Sequence, residues 1–290
     1  MSWRTVVIDS HSKLSYKNGY LIVRSDKVNM IHLSEINILI INSTAVTVTS
    51  YLINELLKEK IKVIFCDEKR NPAGEVISYY GCHNSSKRII EQLNWNTANT
   101  IQVWTRIIEE KIRNQARTLQ KYQLDTSIKL NGYIAELKQN DITNREGHAA
   151  KVYFDSMFGM EFNRENDNDI NSALNYGYSV ILSQFNKEIV SYGCITQLGI
   201  KHRNEYNPFN LSSDLMEPFR PLVDCVVKDN VGEPFNGALK VKLINVLNQK
   251  VIIKGRMHYV SNAISIYVKS VLSSLNTGNI AEICFFEYET

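Results

Sequence analysis

A glutamate on an otherwise apolar helix face is the first residue that could do chemistry. Glu146 lies in DITNREGHAAKVYFDSMFG. Helical spacing places it on one face with three apolar residues, Ala150, Tyr153 and Met157. A carboxylate on such a stripe is costly to bury unless a cation, a hydrogen-bond donor or a metal ion meets it. Glu146 is therefore a candidate metal ligand.

A second candidate group lies in GIKHRNEYNPFNLSSDLMEPFRPLVD, which combines His202, Asp214 and Glu217 with an apolar pattern. Proline is unfavourable inside a helix but suits its first position. The helix that carries the acids therefore starts either near Ser212 or at Glu217, with Pro218 at its first position. Both alternatives place the two carboxylates at a helix N-terminus, with the histidine upstream across a loop.

Carboxylates combined with one neutral imidazole form a mostly hard ligand set, which suits Mg²⁺ or Mn²⁺. Such an ion polarises a phosphoryl oxygen and stabilises an in-line displacement at phosphorus. Four basic residues lie close in sequence to the candidate ligands, where a phosphodiester backbone would need them: Arg145, Lys201, Arg203 and Arg220.

Each candidate also has a purely structural interpretation. Thr143 and Glu146 match a capping box, so this glutamate could return to its own helix start. Asp214 and Glu217 could simply favour the positive end of a helix dipole, and His202 could be an ordinary surface histidine. The residues alone therefore leave two alternatives open: a His/carboxylate metal site and a structural network of ion pairs.

The composition is that of an ordinary globular protein of 290 residues, with 33 basic and 30 acidic side chains. The net charge of +3 neither requires nor excludes a polyanionic partner. Five scattered cysteines argue against a disulfide framework or a zinc ribbon. We see no secretion signal and no apolar run of membrane-spanning length. We therefore expect a soluble, cytoplasmic protein with no membrane segment.

The hydrophobic period changes along the chain, which predicts an α+β protein of two domains. KLSYKNGYLIV contains Asn18-Gly19 between alternating apolar residues, a strong signal for a β-hairpin. Beyond about residue 85 the period becomes helical, for example at Trp104, Ile107 and Ile108. We predict a small β-rich domain over 1–78, a linker over 79–95 and a larger all-α catalytic domain over 96–290.

The ordered set of motifs resembles the CRISPR adaptation integrases, most closely their type II-A form. The resemblance covers essentially the whole chain. It is carried by WRTVVIDSHSKLSYKNGYLIV, NREGHAAKVYF, DNDINSALNYGYSVI and LGIKHRNEYNPFNLSSDLMEPFRPLVD. The succession of a helical glutamate, a histidine and a D-x-x-[DE]-x-x-R-P segment is its most specific part.

The resemblance implies a metal-dependent DNA endonuclease and integrase of antiviral spacer acquisition. Glu146, His202 and Glu217 match the family's catalytic metal ligands, although many members have Asp at the third position. Asp214 matches an auxiliary acidic position. The implied reaction is attack of a prespacer 3′-hydroxyl on phosphodiesters of the CRISPR repeat, with Mg²⁺ or Mn²⁺ as cofactor.

The resemblance also implies partners. These are the double-stranded DNA prespacer, the CRISPR repeat DNA, and a second copy of the chain in a homodimer. A small ferredoxin-like adaptation subunit completes a heterohexamer, and the N-terminal domain serves dimerisation and partner contact. The type II-A form further implies help from the RNA-guided effector nuclease and a ring-forming DNA-end-binding protein. Rival hypotheses are a DNA-binding scaffold without its own chemistry and a general branched-DNA repair nuclease.

Overall fold

The N-terminal part of the chain folds into two four-stranded sheets. The structure, a computed structural model, describes residues 4–78 and 82–288. One sheet has the order β1-β5-β7-β8 and the other β4-β3-β2-β6. A single helix, α1 (Ser50–Lys58), precedes β7. The strands are β1 (Arg4–Ile8), β2 (Ser12–Lys17), β3 (Tyr20–Arg24), β4 (Val28–His32), β5 (Ile36–Ile41), β6 (Val46–Val48), β7 (Lys62–Cys66) and β8 (Pro72–Val76).

The hairpin predicted at Asn18-Gly19 is confirmed. Both residues have positive φ, 48° and 85°, as a type I′ turn requires. They join β2 to β3, and Lys17 pairs with Tyr20 across the antiparallel ladder. This turn fixes the register that places Leu14 and Leu21 inside the N-terminal core.

The apolar run of β5 follows from its central place between two parallel neighbours, β1 and β7. All six of its residues are buried, because both faces of the sheet are covered. Ile36, Leu39 and Ile41 belong to the N-terminal core. Ile38 and Ile40 instead join the core of the helical part. One face of this sheet therefore packs in the N-terminal core, and the other face packs against the helical part.

The rest of the chain is mainly helical, so the predicted α+β class is confirmed. The long central helices α3 and α6 contact most of the others. The helices are α2 (Ser85–Leu93), α3 (Thr97–Lys121), α4 (Ser127–Ala135), α5 (Arg145–Phe158), α6 (Asp169–Ser191), α7 (Asn210–Leu215), α8 (Arg220–Lys228), α9 (Gly237–Ile244) and α10 (Val260–Thr277). No helix in residues 4–78 and 82–288 is long and apolar enough to cross a membrane.

The C-terminal part is not entirely helical, in contrast to the prediction. It also contains a small sheet of order β10-β9-β11, formed by β9 (Lys250–Ile253), β10 (Arg256–Tyr259) and β11 (Phe286–Glu287). These strands have two to four residues, too few to show an alternating pattern in the sequence.

Helix α2 lies within the predicted linker over 79–95. Gln92 on this helix is buried. Its amide nitrogen donates to the carbonyls of Ile195 and Leu198, and its oxygen accepts from Ile195 N. Helix α2 therefore supports the loop that leads to His202. Residues 79–81 lie outside the described residues, and the domain boundaries stay a prediction.

Candidate metal centre

A lysine on the central helix α3 joins the two glutamates that the sequence singled out. The Lys111 ammonium lies 2.6 Å from Glu146 Oε1 and 2.5 Å from Glu217 Oε2. The Lys111 side chain is only 10% exposed. Burial alone would lower its pKa, but the charges of Glu217 and Glu146 outweigh burial and raise it. The lysine is thus held as a cation between two carboxylates.

Glu217 is fixed by the turn that contains it. It begins a short 3₁₀ turn, Glu217–Phe219, whose second residue is Pro218. Asn114 on α3 donates its side-chain amide to the Pro218 carbonyl at 3.0 Å and so ties the turn to the central helix. Arg220 Nε donates to Glu217 Oε1 at 2.9 Å. Burial would raise the pKa of Glu217, but Arg220 and Lys111 outweigh it and lower the pKa to about 2.

The two acids of this segment do not share a helix start, in contrast to the sequence prediction. Asp214 lies near the end of α7, and Glu217 starts the next turn. The preference of proline for the first turn of a helix explains the break, because Pro218 and Pro221 each stand at a new start. The carboxylates consequently have different partners.

Glu146 reaches Lys111 because the start of its helix is capped by another residue. The Asp141 carboxylate accepts hydrogen bonds from the backbone N–H of Arg145 at 2.7 Å and of Glu146 at 3.0 Å. The alternative of a capping box is wrong: among the described residues, the Thr143 hydroxyl has no hydrogen-bond partner. The Glu146 side chain is therefore not used for capping.

Asp214 orients His202. Its Oδ1 lies 2.5 Å from His202 Nδ1, and its Oδ2 accepts from the backbone N–H of Ile200 and Lys201. An ionised carboxylate only accepts, so Nδ1 carries the hydrogen and Nε2 is the nitrogen available to a ligand. The Trp104 ring meets the imidazole edge-on, with centroids 5.9 Å apart.

The charges of Glu217 and Glu146, which raise the pKa of Lys111, also raise the pKa of His202. The hydrogen bond with Asp214 raises the pKa of His202 against the opposing effect of burial, and Glu217 and Glu146 raise it further. The contacts of neighbouring residues place the imidazole on the same side of α3 as Glu146: Trp104 meets its ring, and Lys201 donates to Asn140, next to the Asp141 that caps the helix of Glu146. The loop around the imidazole is also braced, since the buried Asn210 amide donates to three backbone carbonyls, those of Gln197, Asn204 and Asn207.

The donor set fits a hard divalent cation. Glu146 and Glu217 offer carboxylate oxygens, and His202 offers Nε2. Glu217 Oε2 is buried, and its ion pair with Lys111 lacks hydrogen-bond geometry, so this oxygen keeps an unused lone pair. As they stand, no three acidic, histidine or cysteine side chains in the described parts of the chain are grouped to hold a metal. Lys111 lies between the carboxylates instead.

Comparison with known proteins identifies the family of this chain. A family model described as "CRISPR associated protein Cas1" matches residues 5–233. The chain is 31% identical over 285 residues to the CRISPR-associated endonuclease Cas1 of Neisseria meningitidis serogroup C (strain 8013), covering 96% of this chain and 92% of that protein. The chain belongs to the Cas1 family. It is also 30% identical to a Cas1 endonuclease of Francisella tularensis subsp. novicida (strain U112), covering 74% of each.

Solved structures show that the fold is the family's as well. A Cas1 protein from Thermotoga maritima matches with a TM-score of 0.76 and 16% identity, covering 96% of this chain and 97% of that one. A casposase bound to an integration product also gives 0.76, at 19% identity, covering 96% and 92%. A Cas6-RT-Cas1–Cas2 complex gives 0.72 at 20% identity, and the match spans 97% of this chain but only 36% of that one.

The four basic residues predicted to contact DNA differ from one another in the contacts of their side chains. Arg145 pairs with Glu136 at 2.9 Å. Lys201 donates to the Asn140 carbonyl and side chain. Arg220 holds Glu217 and lies over the Tyr178 ring. Arg203 is exposed, and in the part of the chain that the structure describes its side chain has no hydrogen bond or ion pair.

Lys111 was missed by the sequence reasoning, although a signal for it exists. It lies four residues after Ile107 and three after Ile108, on the apolar stripe that defines the buried face of α3. A charge on a buried stripe was the argument that singled out Glu146, and it applies equally here. A lysine ammonium has no lone pair for a metal ion, so a pattern of metal-ligating residue types does not include Lys111.

Proposed function

We propose that this chain is a metal-dependent DNA endonuclease and integrase of CRISPR adaptation. It inserts short duplex prespacers into the CRISPR repeat by 3′-hydroxyl attack on phosphodiesters. The observation that carries the proposal is the convergence of Glu146 and Glu217 on the buried Lys111 ammonium. Membership in a family whose relatives are named CRISPR-associated endonucleases supports it.

Glu146, His202 and Glu217 would hold Mg²⁺ or Mn²⁺. When bound there, the ion supplies Lewis-acid stabilisation of the charge that develops on a phosphodiester. The remaining residues position the ligands. Asp214 fixes the imidazole with Nε2 available, and Arg220 holds one oxygen of Glu217. Such supporting contacts typically decide metal affinity as much as the ligands do.

The proposed reaction is a transesterification. The 3′-oxygen of the prespacer forms a new bond to phosphorus, and the bond from phosphorus to the 3′-oxygen of the repeat strand breaks. The proton lost by the attacking hydroxyl is returned to the leaving oxygen through solvent. Because bond formation and cleavage occur at one phosphorus, no covalent enzyme intermediate is required. Repetition on the opposite strand completes the insertion.

The protein surface beside the centre suits a phosphodiester backbone. His202 is 48% exposed, so substrate can reach the centre from its side. Arg203, next in the chain, is exposed, and we assign it a phosphate contact. Lys201 precedes His202 in the chain. Its ammonium lies at the surface, where it donates to the Asn140 carbonyl. Arg145 and Arg220 would act mainly by holding neighbouring side chains.

We further propose that the chain works as a homodimer with a small ferredoxin-like adaptation subunit. A Cas1–Cas2 complex among the similar structures supports this. The edge strand β4 carries Val28 and Met30, which are 63% and 57% exposed. Exposed apolar residues on a sheet edge favour association with a partner chain. We assign this edge to dimerisation of the N-terminal part.

Strand transfer tests the function. A labelled short duplex is incubated with a supercoiled plasmid that carries the repeat, with Mn²⁺, Mg²⁺ or EDTA, and with or without the small partner. We expect metal- and partner-dependent nicking that disappears in Glu146→Ala and persists in Glu161→Ala, an exposed glutamate outside the centre.

The same assay separates the rival functions. Nicking that persists in Glu146→Ala would show that the ligand assignment is wrong. Binding of the duplex without nicking by any variant would favour a DNA-binding scaffold. Cleavage of branched DNA that needs neither partner nor repeat would favour a repair nuclease.

A further inference from the structure

The geometry points to Lys111 as a built-in cation that occupies the place of the metal ion, so that metal binding is an exchange in which the lysine leaves. This inference rests on the proposed function, because it concerns the same centre. Its basis is that a single ammonium contacts one oxygen of Glu146 and one of Glu217, at 2.6 Å and 2.5 Å.

Each oxygen of Glu217 faces a cationic side chain. Oε1 accepts from Arg220 Nε at 2.9 Å, and Oε2 faces the Lys111 ammonium. A metal ligand oxygen lies about 2.1 Å from Mg²⁺. An ion bridging the two glutamates would therefore stand at the point that the ammonium now fills. Two cations cannot share that point, because they overlap and repel each other. Metal binding consequently requires the ammonium to move.

The contacts of Lys111 differ from those of Lys62, another buried lysine that forms an ion pair. Lys62 on β7 pairs with one acid, Glu75 on the adjacent strand β8, and the two charges neutralise each other. Lys111 instead contacts two acids that come from two other elements, α5 and the turn before α8. In the described residues, no other lysine side chain bridges acids in this way. With Arg220 on the other oxygen of Glu217, the two acids are balanced by two cations, and Lys111 is the one that contacts both acids.

Lysine suits this role physically. Without the ammonium between them, the carboxylates of Glu146 and Glu217 would repel each other at a site where Glu217 is only 5% exposed. The lysine keeps the metal ligands assembled before the ion arrives. Its flexible four-carbon stem lets the ammonium move while α3, the central helix, stays in place. Exchange therefore needs no change of fold.

Isothermal titration calorimetry with Mn²⁺ tests the exchange. The proteins are the wild type, Lys111→Met, Lys62→Met as a control for loss of a buried lysine, and Glu146→Gln as a ligand-loss control. We expect Lys111→Met to bind Mn²⁺ at least tenfold more tightly than the wild type, since no ammonium has to be displaced. Lys62→Met should bind like the wild type, and Glu146→Gln should bind weakly or not at all.

A measurement on the wild type keeps the inference testable if Lys111→Met does not fold. Lysine acetylation is followed residue by residue by mass spectrometry, with and without Mn²⁺. The Lys111 amine, buried and paired, should be protected without metal and become at least several-fold more reactive with it. Lys62, buried in the ion pair with Glu75, is the internal reference and should not change.

The outcomes separate this inference from the proposed function. If the wild type binds Mn²⁺ and Lys111→Met binds with equal or lower affinity, the exchange is wrong and the metal centre stands. Acetylation of Lys111 that does not respond to Mn²⁺ leads to the same conclusion. If neither protein binds Mn²⁺, both the exchange and the proposed metal centre are overturned.

Discussion

Asp214 holds His202 by a contact of 2.5 Å between Oδ1 and Nδ1, although the aspartate itself is completely buried. The same carboxylate accepts the backbone N–H groups of Ile200, Lys201 and His202. One side chain therefore fixes both the imidazole and the loop that carries it. Asp214 is therefore a positioning residue for His202, one of the candidate metal ligands.

Replacing this aspartate should weaken metal binding without unfolding the protein. Asp214→Asn keeps one acceptor oxygen for the loop but loses the charge that orients the imidazole. We expect the affinity for Mn²⁺ to fall about 10- to 100-fold, as is typical for loss of a partner behind a metal ligand. Calorimetric titration measures the change, and Glu161→Gln is the control. An unchanged affinity would contradict the positioning role.

The two glutamates should contribute unequally to the stability of the metal-free protein. Glu217→Gln removes the acid shared by Lys111 and Arg220 in a buried setting. We expect it to lower the free energy of unfolding by about 3 kcal/mol. Glu146 is 28% exposed, and its loss leaves Lys111 paired with Glu217. Glu146→Gln should therefore cost about 1 kcal/mol or less.

Urea denaturation in EDTA measures both values at one pH. Equal losses for the two variants would show that Lys111 does not depend mainly on Glu217.

Asp224 should make stability depend on pH. It is buried and accepts hydrogen bonds from Tyr153 at 2.9 Å and Tyr178 at 2.5 Å. Burial raises its pKa from 3.8 to about 6, against these hydrogen bonds. Between the two values the folded protein binds a proton that the unfolded chain does not. The contribution of Asp224 to stability is therefore greatest below pH 4 and is lost as the pH rises to 6.

The Asp224→Asn variant lacks this titration. Relative to the wild type, its free energy of unfolding should gain about 2 kcal/mol as the pH rises from 4 to 6, since a full pKa unit corresponds to roughly 1.4 kcal/mol and Asp224 is half titrated at pH 6. Urea denaturation at several pH values measures the difference. Asp125→Asn, on the surface, is the control. Parallel curves for Asp224→Asn and the wild type would refute the assignment.

Lys240 should stabilise the contact between the two parts of the chain. Its ammonium donates to the carbonyls of Lys69 and Arg70 in the turn before β8, and it lies over the Tyr176 and Phe235 rings. Lys240→Met should lower the free energy of unfolding by about 1–3 kcal/mol. Lys242→Met, on the exposed surface, should change it by less than about 0.5 kcal/mol. Equal effects would contradict the role of Lys240.

Arg203 should contribute to DNA affinity through phosphate. Arg203→Ala should weaken binding of a duplex to a similar extent for any sequence. It should also reduce the slope of log affinity against log salt by about 1, because one phosphate contact is lost. Fluorescence anisotropy at several salt concentrations measures the slope. Arg256→Ala, an exposed arginine on β10, is the control. An unchanged slope would place Arg203 outside the DNA interface.

Local signals in the sequence predicted much of the fold. The Asn18-Gly19 turn and the stripe of α3 depend on neighbours in the chain, so spacing alone reveals them. The sheet of β9 to β11 could not be predicted, because β11 pairs with β9 over more than thirty residues of sequence. Short strands with such partners leave no periodic pattern.

The candidate site was predictable as residue types but not as contacts. Glu146 stood out because a charge interrupted an apolar stripe, and His202 because it preceded an acidic segment. The meeting of Glu146 and Glu217 at Lys111 depends on how two separate elements, α5 and the turn before α8, pack against α3, which no spacing encodes. The function of Asp214 as a partner of the histidine likewise appears only when the loop is folded.

The sheet shared by the two parts of the chain has a consequence for how the protein melts. Ile38 and Ile40 of β5, together with Ile64 of β7, belong to the N-terminal sheet but are buried among the helices. Separating the two parts would expose these side chains to water, at about 1.5–3 kcal/mol each. A helical fragment without the first 78 residues would present the matching apolar surface and aggregate. We therefore expect the protein to unfold in a single cooperative transition.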